Sequence, residues 1–328
     1  MKAYLTLIFA TLLLAMAFVG AAHAESEIQA SPVARYMMSI EDPMTMKSKD
    51  FDWDHQILVA LPATYEALPE KSYPVLWLTD GPTSFNLTIG LMGLLTMGNL
   101  APEMIIVAVG TPSELGMLEF LRRRSTDFAP PGDDIFYDGA AGEFLEKSTR
   151  VGGYASPPQK ADKFLGFLIE DVRPALAKKY RTSGDHGLYG HSGGGMFAGY
   201  ALFARPGGFS KYIIGSPSLY ASDRKAFQLE EDYAKNHKDL DVSVFFGAGE
   251  LEIEDTYMAS WGLVSAAVLM AETLRIRQYP SLQVTTRIFP GKNHFTVVPD
   301  ILSVGIQTLW ADDVSRGDAA MNATEASE

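Results

Sequence analysis

The sequence predicts an α/β protein with a mostly parallel central sheet and helices on both of its faces. Three observations carry that expectation. Short, continuously apolar runs recur and close on turn residues, as strands buried on both sides do. Stretches with helical three- and four-residue spacing lie between several of these runs, and no internal repeat divides the chain. At 328 residues, with 47% hydrophobic and 20% charged, the composition is that of a folded globular protein and fits one large domain.

Taken in order, the first run is 56–62, closed by Pro62, and the second is 73–78, which leads into the turn signal Thr79-Asp80-Gly81. A third spans 104–109. Residues 163–179 then set Phe164, Phe167, Leu168, Val172 and Leu176 on one helical stripe. Further runs follow at 187–189, 212–215 and 242–246. A second helical stretch, 256–277, carries Met258, Trp261, Leu263, Ala267 and Leu274, and the last run is 284–289. Residues 115–159 break the alternation. Rich in Arg, Asp, Gly and Pro and without sustained periodicity, they read as a long loop or insertion, a kind of segment that often carries function.

The first 24 residues read as an export signal: Lys2, an apolar core over 5–19, and the small-x-small site Ala22-His23-Ala24. Residues 25–50 read as a polar leader, 51–312 as the folded domain, and 313–328 as a small, polar tail expected to be disordered. No later stretch is apolar enough to span a bilayer. The expectation is an exported protein, periplasmic or secreted, without stable membrane insertion. With 27 Lys plus Arg against 40 Asp plus Glu, the net charge of -13 repels phosphate backbones and argues against nucleic acid as a partner. The chain has no cysteine, so covalent chemistry must use Ser, Thr, Lys or a carboxylate.

Gly190-His191-Ser192-Gly193-Gly194 is a G-x-S-x-G pattern between an apolar run and a helix-compatible stretch. A turn that sharp forces the serine into strained backbone angles and needs small residues on either side. Its hydroxyl then projects from the sheet end, and the N–H of Gly193 points where an oxyanion would form. A serine hydroxyl needs a general base, and along such chains the order is serine, acid, histidine. Of the six histidines, His294 alone lies in a loop just past a late strand. His191 is bound into the turn itself and reads as structural or as a pocket wall. The acid is expected after the 242–246 run, where Glu250 follows Gly247 by three residues and Glu252 follows Gly249 by three. Spacing does not choose between them.

With these residues in hand, the chain resembles the esterase family of α/β hydrolases that includes esterase D-like enzymes, siderophore esterases, feruloyl esterases and mycolyltransferases. The resemblance covers about 51–310. It rests on residues 75–81 ending in Asp80-Gly81, on Arg124 to Pro130 as an Arg…Asp-aromatic-x-Pro segment, on Gly190 to Gly194, on Ser216 to Tyr220, on Gly249 to Glu252, and on Phe289 to His294. It implies the α/β-hydrolase fold, Ser192 as nucleophile and His294 as base. It favours Glu252 as the acid, with Glu250 a near-equal second, and requires no metal or organic cofactor. Gly193 and the Gly81 region would form the oxyanion hole, although the chain has Pro82, which lacks an N–H, just after Asp80-Gly81; Gly81 or Thr83 would then donate. Arg124, His191 and Tyr220 are candidate substrate contacts, with Arg124 also expected to pair with Asp127. The expected substrate is a small-molecule carboxylic ester, siderophore-like among others. An acyltransferase with the same residues and a non-catalytic exported binding protein are the alternatives.

Overall fold

The computed structural model of the chain describes residues 37–132, 139–140, 143–144, 147 and 158–314. The expected export signal, the first part of the leader, much of the second half of the 115–159 segment and the tail beyond 314 lie outside the described residues. Among the described residues, one sheet holds β1 (Met38–Ile40), β2 (Met44–Lys47), β3 (Asp54–Pro62), β4 (Tyr73–Leu78), β5 (Ile105–Gly110), β6 (Thr182–His191), β7 (Lys211–Gly215), β8 (Ser243–Gly249) and β9 (Gln283–Phe289). Its order is β1-β3-β5-β4-β6-β7-β8-β9, with β2 also on β3. From β5 to β9 all neighbours are parallel, and β3 pairs antiparallel with β5, β1 and β2.

Alternate residues of each strand enter different cores. Val75, Trp77, Leu188, Ile214 and Phe246 face α3 (Ala161–Gly166), a π-helical turn (Phe167–Val172), α4 (Arg173–Lys179), α5 (Gly193–Ala204) and α8 (Leu263–Arg277). Leu76, Leu78, Tyr189, Ile213 and Phe245 face α1 (Gly81–Met97) and α9 (Val298–Leu309). Burying a residue of this size contributes roughly 1.5–3 kcal/mol, and two-sided burial fixes the register, because a one-residue slip would exchange the two faces. That register aligns the carboxyl ends of the parallel strands: Leu78 opposite Tyr189, His191 opposite Gly215, Gly215 opposite Gly247, Gly249 opposite Phe289.

Four stretches differ from the sequence reading. The sheet begins at Met38, within the stretch read as a leader, because β1 and β2 are short edge strands whose sparse apolar residues leave little pattern. β6 starts five residues before the apolar run, through the polar Thr182-Ser183-Gly184-Asp185-His186. Residues 256–277 form two helices, α7 (Thr256–Ser260) and α8, since Gly262 at φ 64° turns the chain between them. The front of the supposed 115–159 loop is α2 (Gly116–Phe128). Its Met117, Leu118 and Leu121 face solvent, so there is no buried stripe to reveal it; what supports it is charge, with Arg122 and Arg123 both bonded to Glu119 one turn earlier.

Candidate active site

β6 runs out at His191 and α5 begins at Gly193, so Ser192 alone reverses the chain. It does so at φ 60°, ψ −120°, a conformation that stores roughly 1–3 kcal/mol and persists only where the surroundings over-determine it. Here they do. The Ser192 N–H donates to the Gly215 carbonyl at 2.9 Å, and the Ser192 carbonyl accepts from Met196 N–H at 2.9 Å. A Cβ at position 190 would collide with the Gly194 carbonyl, so the turn admits only glycine there. Ser192 itself is half-buried. The Gly193 N–H is the first of α5 and has no acceptor within the helix.

Glu252 and His294 meet from the ends of β8 and β9. The His294 Nδ1 lies 2.9 Å from Glu252 Oε1, and both residues are buried. Facing a carboxylate, Nδ1 carries the proton, which leaves Nε2 as the basic nitrogen. Glu252 Oε2 accepts from Gly249 N–H at 3.3 Å, which fixes the carboxylate at both oxygens. Glu250 points outward and does a different job: its Oε2 accepts from Gly291 N–H at 2.8 Å and holds the turn that leads to the histidine. The two glutamates, inseparable by spacing, thus have separate partners.

The imidazole is also tied to the elbow. His191 Nε2 donates to the His294 carbonyl at 2.9 Å, and the two rings lie 4.6 Å apart. Burial, and then the neighbouring imidazole, push the His191 ring well below the usual histidine range, so it stays neutral. Its Nδ1 is sealed from solvent and has no hydrogen-bond partner among the described residues. Among the same residues the Ser192 hydroxyl makes no hydrogen bond, so His294 is brought to the elbow without the serine–imidazole bond being closed. Such bonds commonly tighten only when substrate is present.

On the other side of the elbow stand Asp80, Gly81 and Arg124. Asp80, at φ 57°, ends the loop after β4 and accepts from Arg124 through both oxygens, at 2.5 Å from Nε and 3.1 Å from Nη2. Nη2 also donates to the His191 carbonyl at 3.2 Å. The expected Arg124–Asp127 pair is therefore not formed. Asp127 is buried and turns instead to His55, 3.2 Å away, in a pocket where the rings of Phe164 and Phe167 pack on that imidazole; burial raises the Asp127 carboxyl. Thr83 is no oxyanion donor either, because its N–H is bonded to the Asp80 carbonyl at 2.9 Å. Gly81 keeps the first N–H of α1. Tyr220 stands apart from this group: its ring stacks on Phe227 and closes over Gly262. Ile253 and Phe295, next in sequence to Glu252 and His294, are 60% and 75% exposed and give the rim an apolar character.

In the sequence Asp80 reads only as part of a turn signal; its bond to Arg124, 44 residues away, leaves no local trace.

Comparisons with known proteins bear on the family and the fold. The Esterase family, described as Putative esterase, matches residues 48–297. The siderophore enterobactin esterase of Emericella nidulans is 34% identical over 181 residues, 53% of this chain and 56% of that protein. The chain spans about half the length of that curated relative and of the siderophore triacetylfusarinine C esterase of Aspergillus fumigatus, which is 34% identical over 150 residues, 45% of this chain and 44% of that protein. The ferri-bacillibactin esterase BesA of Bacillus subtilis is 24% identical over 265 residues, 79% of this chain and 85% of that protein. In fold, the siderophore hydrolase EstA from Aspergillus nidulans superimposes with a TM-score of 0.70 at 23% identity, covering 86% of this chain and 97% of its own. A strained serine at a strand-to-helix elbow, a buried glutamate–histidine pair on the adjoining strand ends and a family match across most of the sheet converge: the chain belongs to the Esterase family and has the α/β-hydrolase fold.

Proposed function

We propose that the protein is an exported serine esterase that cleaves carboxylic esters through Ser192, His294 and Glu252, with siderophore-type esters as the first substrate class to test. The observation that carries this reading is the Glu252–His294 bond, which occupies Nδ1 and leaves the other imidazole nitrogen to act as the base, on a histidine whose backbone is tied to His191, the neighbour of the strained serine. In the acylation step the Ser192 Oγ forms a bond to the ester carbon, its proton passes to His294 Nε2, and the carbonyl electron pair moves onto oxygen. The Gly193 and Gly81 N–H groups stabilise that oxyanion. As the pair returns, the bond to the leaving alcohol breaks and His294 protonates the alcohol oxygen. Water, deprotonated by His294, then attacks the acyl-enzyme in the same way, releasing the acid and restoring Ser192.

Substrate class is supported by the names of the relatives, and export by the charged start, apolar core and small-x-small site of residues 1–24. A fluorophosphonate should label the wild type at Ser192 and leave Ser192→Ala unlabelled, while hydrolysis of p-nitrophenyl esters and cyclic triester siderophores should fall by several orders of magnitude in the variant. Equal labelling of both proteins would sink the assignment. N-terminal sequencing of the protein recovered outside the cytoplasm should begin near Glu25.

A further inference from the structure

Gly193 occupies the position after the serine, and the space its side chain would fill is taken. A Cβ built there would meet Arg124 Nη1 at 2.8 Å. The guanidinium is held with little freedom: Nε and Nη2 are bonded to the Asp80 carboxylate, and Nη2 reaches the His191 carbonyl as well. Nη1 is the remaining nitrogen, and among the described residues it makes no hydrogen bond. It thus sits against the residue whose N–H faces the developing oxyanion. On the same side the chain carries Pro82, which has no N–H to give, and the Thr83 N–H is consumed by the Asp80 carbonyl.

We infer that Arg124 Nη1 is an oxyanion donor of this site, acting with the Gly193 and Gly81 N–H groups where Pro82 has no N–H to give. The inference rests on the serine-esterase reading and deepens it. When Ser192 attacks, the carbonyl pair moves onto oxygen, and the Nη1 hydrogen bond shortens onto that charge without any transfer of the arginine proton. A pre-fixed, charge-assisted donor at such a place is worth on the order of 10²–10³-fold in rate. The alternative role for an arginine at a pocket mouth is to grip an anionic substrate. The two roles differ in a measurable way. Arg124 forms a neutral pair with Asp80, so as an oriented donor it lowers the barrier for uncharged esters too, whereas a grip changes KM for anionic esters only.

The test is steady-state hydrolysis of an uncharged ester, p-nitrophenyl butyrate, by wild type, Arg124→Lys, Arg124→Ala and Gly193→Ala, with thermal unfolding of each. The expected result is a fall in kcat of roughly 10²–10³-fold for both Arg124 variants, KM within about threefold, partial recovery of Arg124→Ala by added guanidinium ion, and a Gly193→Ala loss that is large in the wild type and small in the Arg124→Ala background. Lysine keeps the charge near Asp80 but lacks the fork, so it should not rescue. An unchanged kcat in Arg124→Lys, with KM raised only for an anionic ester, would overturn the oxyanion role and leave the esterase reading standing. So would an Arg124→Ala protein that guanidinium fails to rescue and whose unfolding midpoint has dropped. A wild type that neither hydrolyses esters nor takes the fluorophosphonate label would overturn both.

Discussion

On the β8–β9 side of the site, Glu252 is sealed and bonded through both oxygens, Glu250 holds the turn before the histidine, and His191 fastens the His294 backbone to the elbow. On the β4 side, the loop after the strand carries a proline, the Thr83 N–H is already committed, and the nearest charged group comes from a helix outside the strand ends, ending in an unbonded nitrogen. On the proposed reading, the difference teaches that the base is positioned by redundancy and the oxyanion site by substitution of parts. Removing one bond on the first side should therefore be partly tolerated, unless it is the bond to the imidazole itself.

The largest expected effect sharpens that contrast. Glu252→Gln should lower kcat by about 10³–10⁴-fold with little change in KM, since the amide N–H can donate to Nδ1 and hold the imidazole in the tautomer whose Nε2 is already protonated; a loss below tenfold, read in the same ester assay, would mean that another group orients His294. Gly190→Ala comes next. Its methyl must displace the Gly194 carbonyl and open the elbow, destabilising the fold by about 1–3 kcal/mol in chemical denaturation, with a matching loss of fluorophosphonate labelling rate. His191→Phe keeps the ring contact but loses the donated bond; a five- to tenfold drop in kcat, about what one neutral hydrogen bond is worth, is expected. Glu250→Gln should change kcat by less than about threefold, because an exposed contact of this kind contributes little. Should Glu250→Gln prove as damaging as Glu252→Gln, the division of labour between the two glutamates would be wrong.

Acid should weaken the scaffold. Burial and then the nearby Arg173 push His186 down to about 4, and burial holds His191 well below the usual range. Between pH 6.5 and about 4 the unfolded chain binds a proton at His186 that the folded chain refuses, so stability is fully present above 6.5 and declines as pH falls, by at most about 1.4 kcal/mol per pH unit for each such group. Denaturant midpoints measured at pH 7 and 4.5 check the sign; a midpoint that rises on acidification would contradict it.

How much of this was legible in the sequence follows from what leaves a local trace. Strands buried on both faces announce themselves as apolar runs, so β3, β4, β5, β7 and β8 were found near their true bounds, while β9, half-exposed and interrupted by Thr285, Thr286 and Arg287, was found from its flanking Val284, Ile288 and Phe289. The glycines around Ser192 and the late loop at His294 are likewise local signals. The choice between Glu250 and Glu252 was not, because it depends on which side of one short 3₁₀ turn faces β9. Arg124 was noticed, but its partner was taken from the Arg…Asp segment that carries the resemblance, whereas the fold gives Asp127 to His55 and Arg124 to Asp80, 44 residues away. α2 went unseen for the opposite reason: it is regular, but its regularity lies in charges rather than in burial.

The strand ends that carry Asp80, Ser192, Glu252 and His294 belong to β4, β6, β8 and β9, and the contacts at this end of the sheet include Glu252–His294, 42 residues apart, Asp80–Arg124, 44 apart, and His191–His294, 103 apart. The Glu252–His294 pair cannot form until the last strand, β9, has joined β8, and non-local pairings of that sort are the slow part of assembly. During refolding, turnover should therefore reappear late, well after the helical signal has recovered, which makes catalysis a sensitive gauge of whether the final strand has docked.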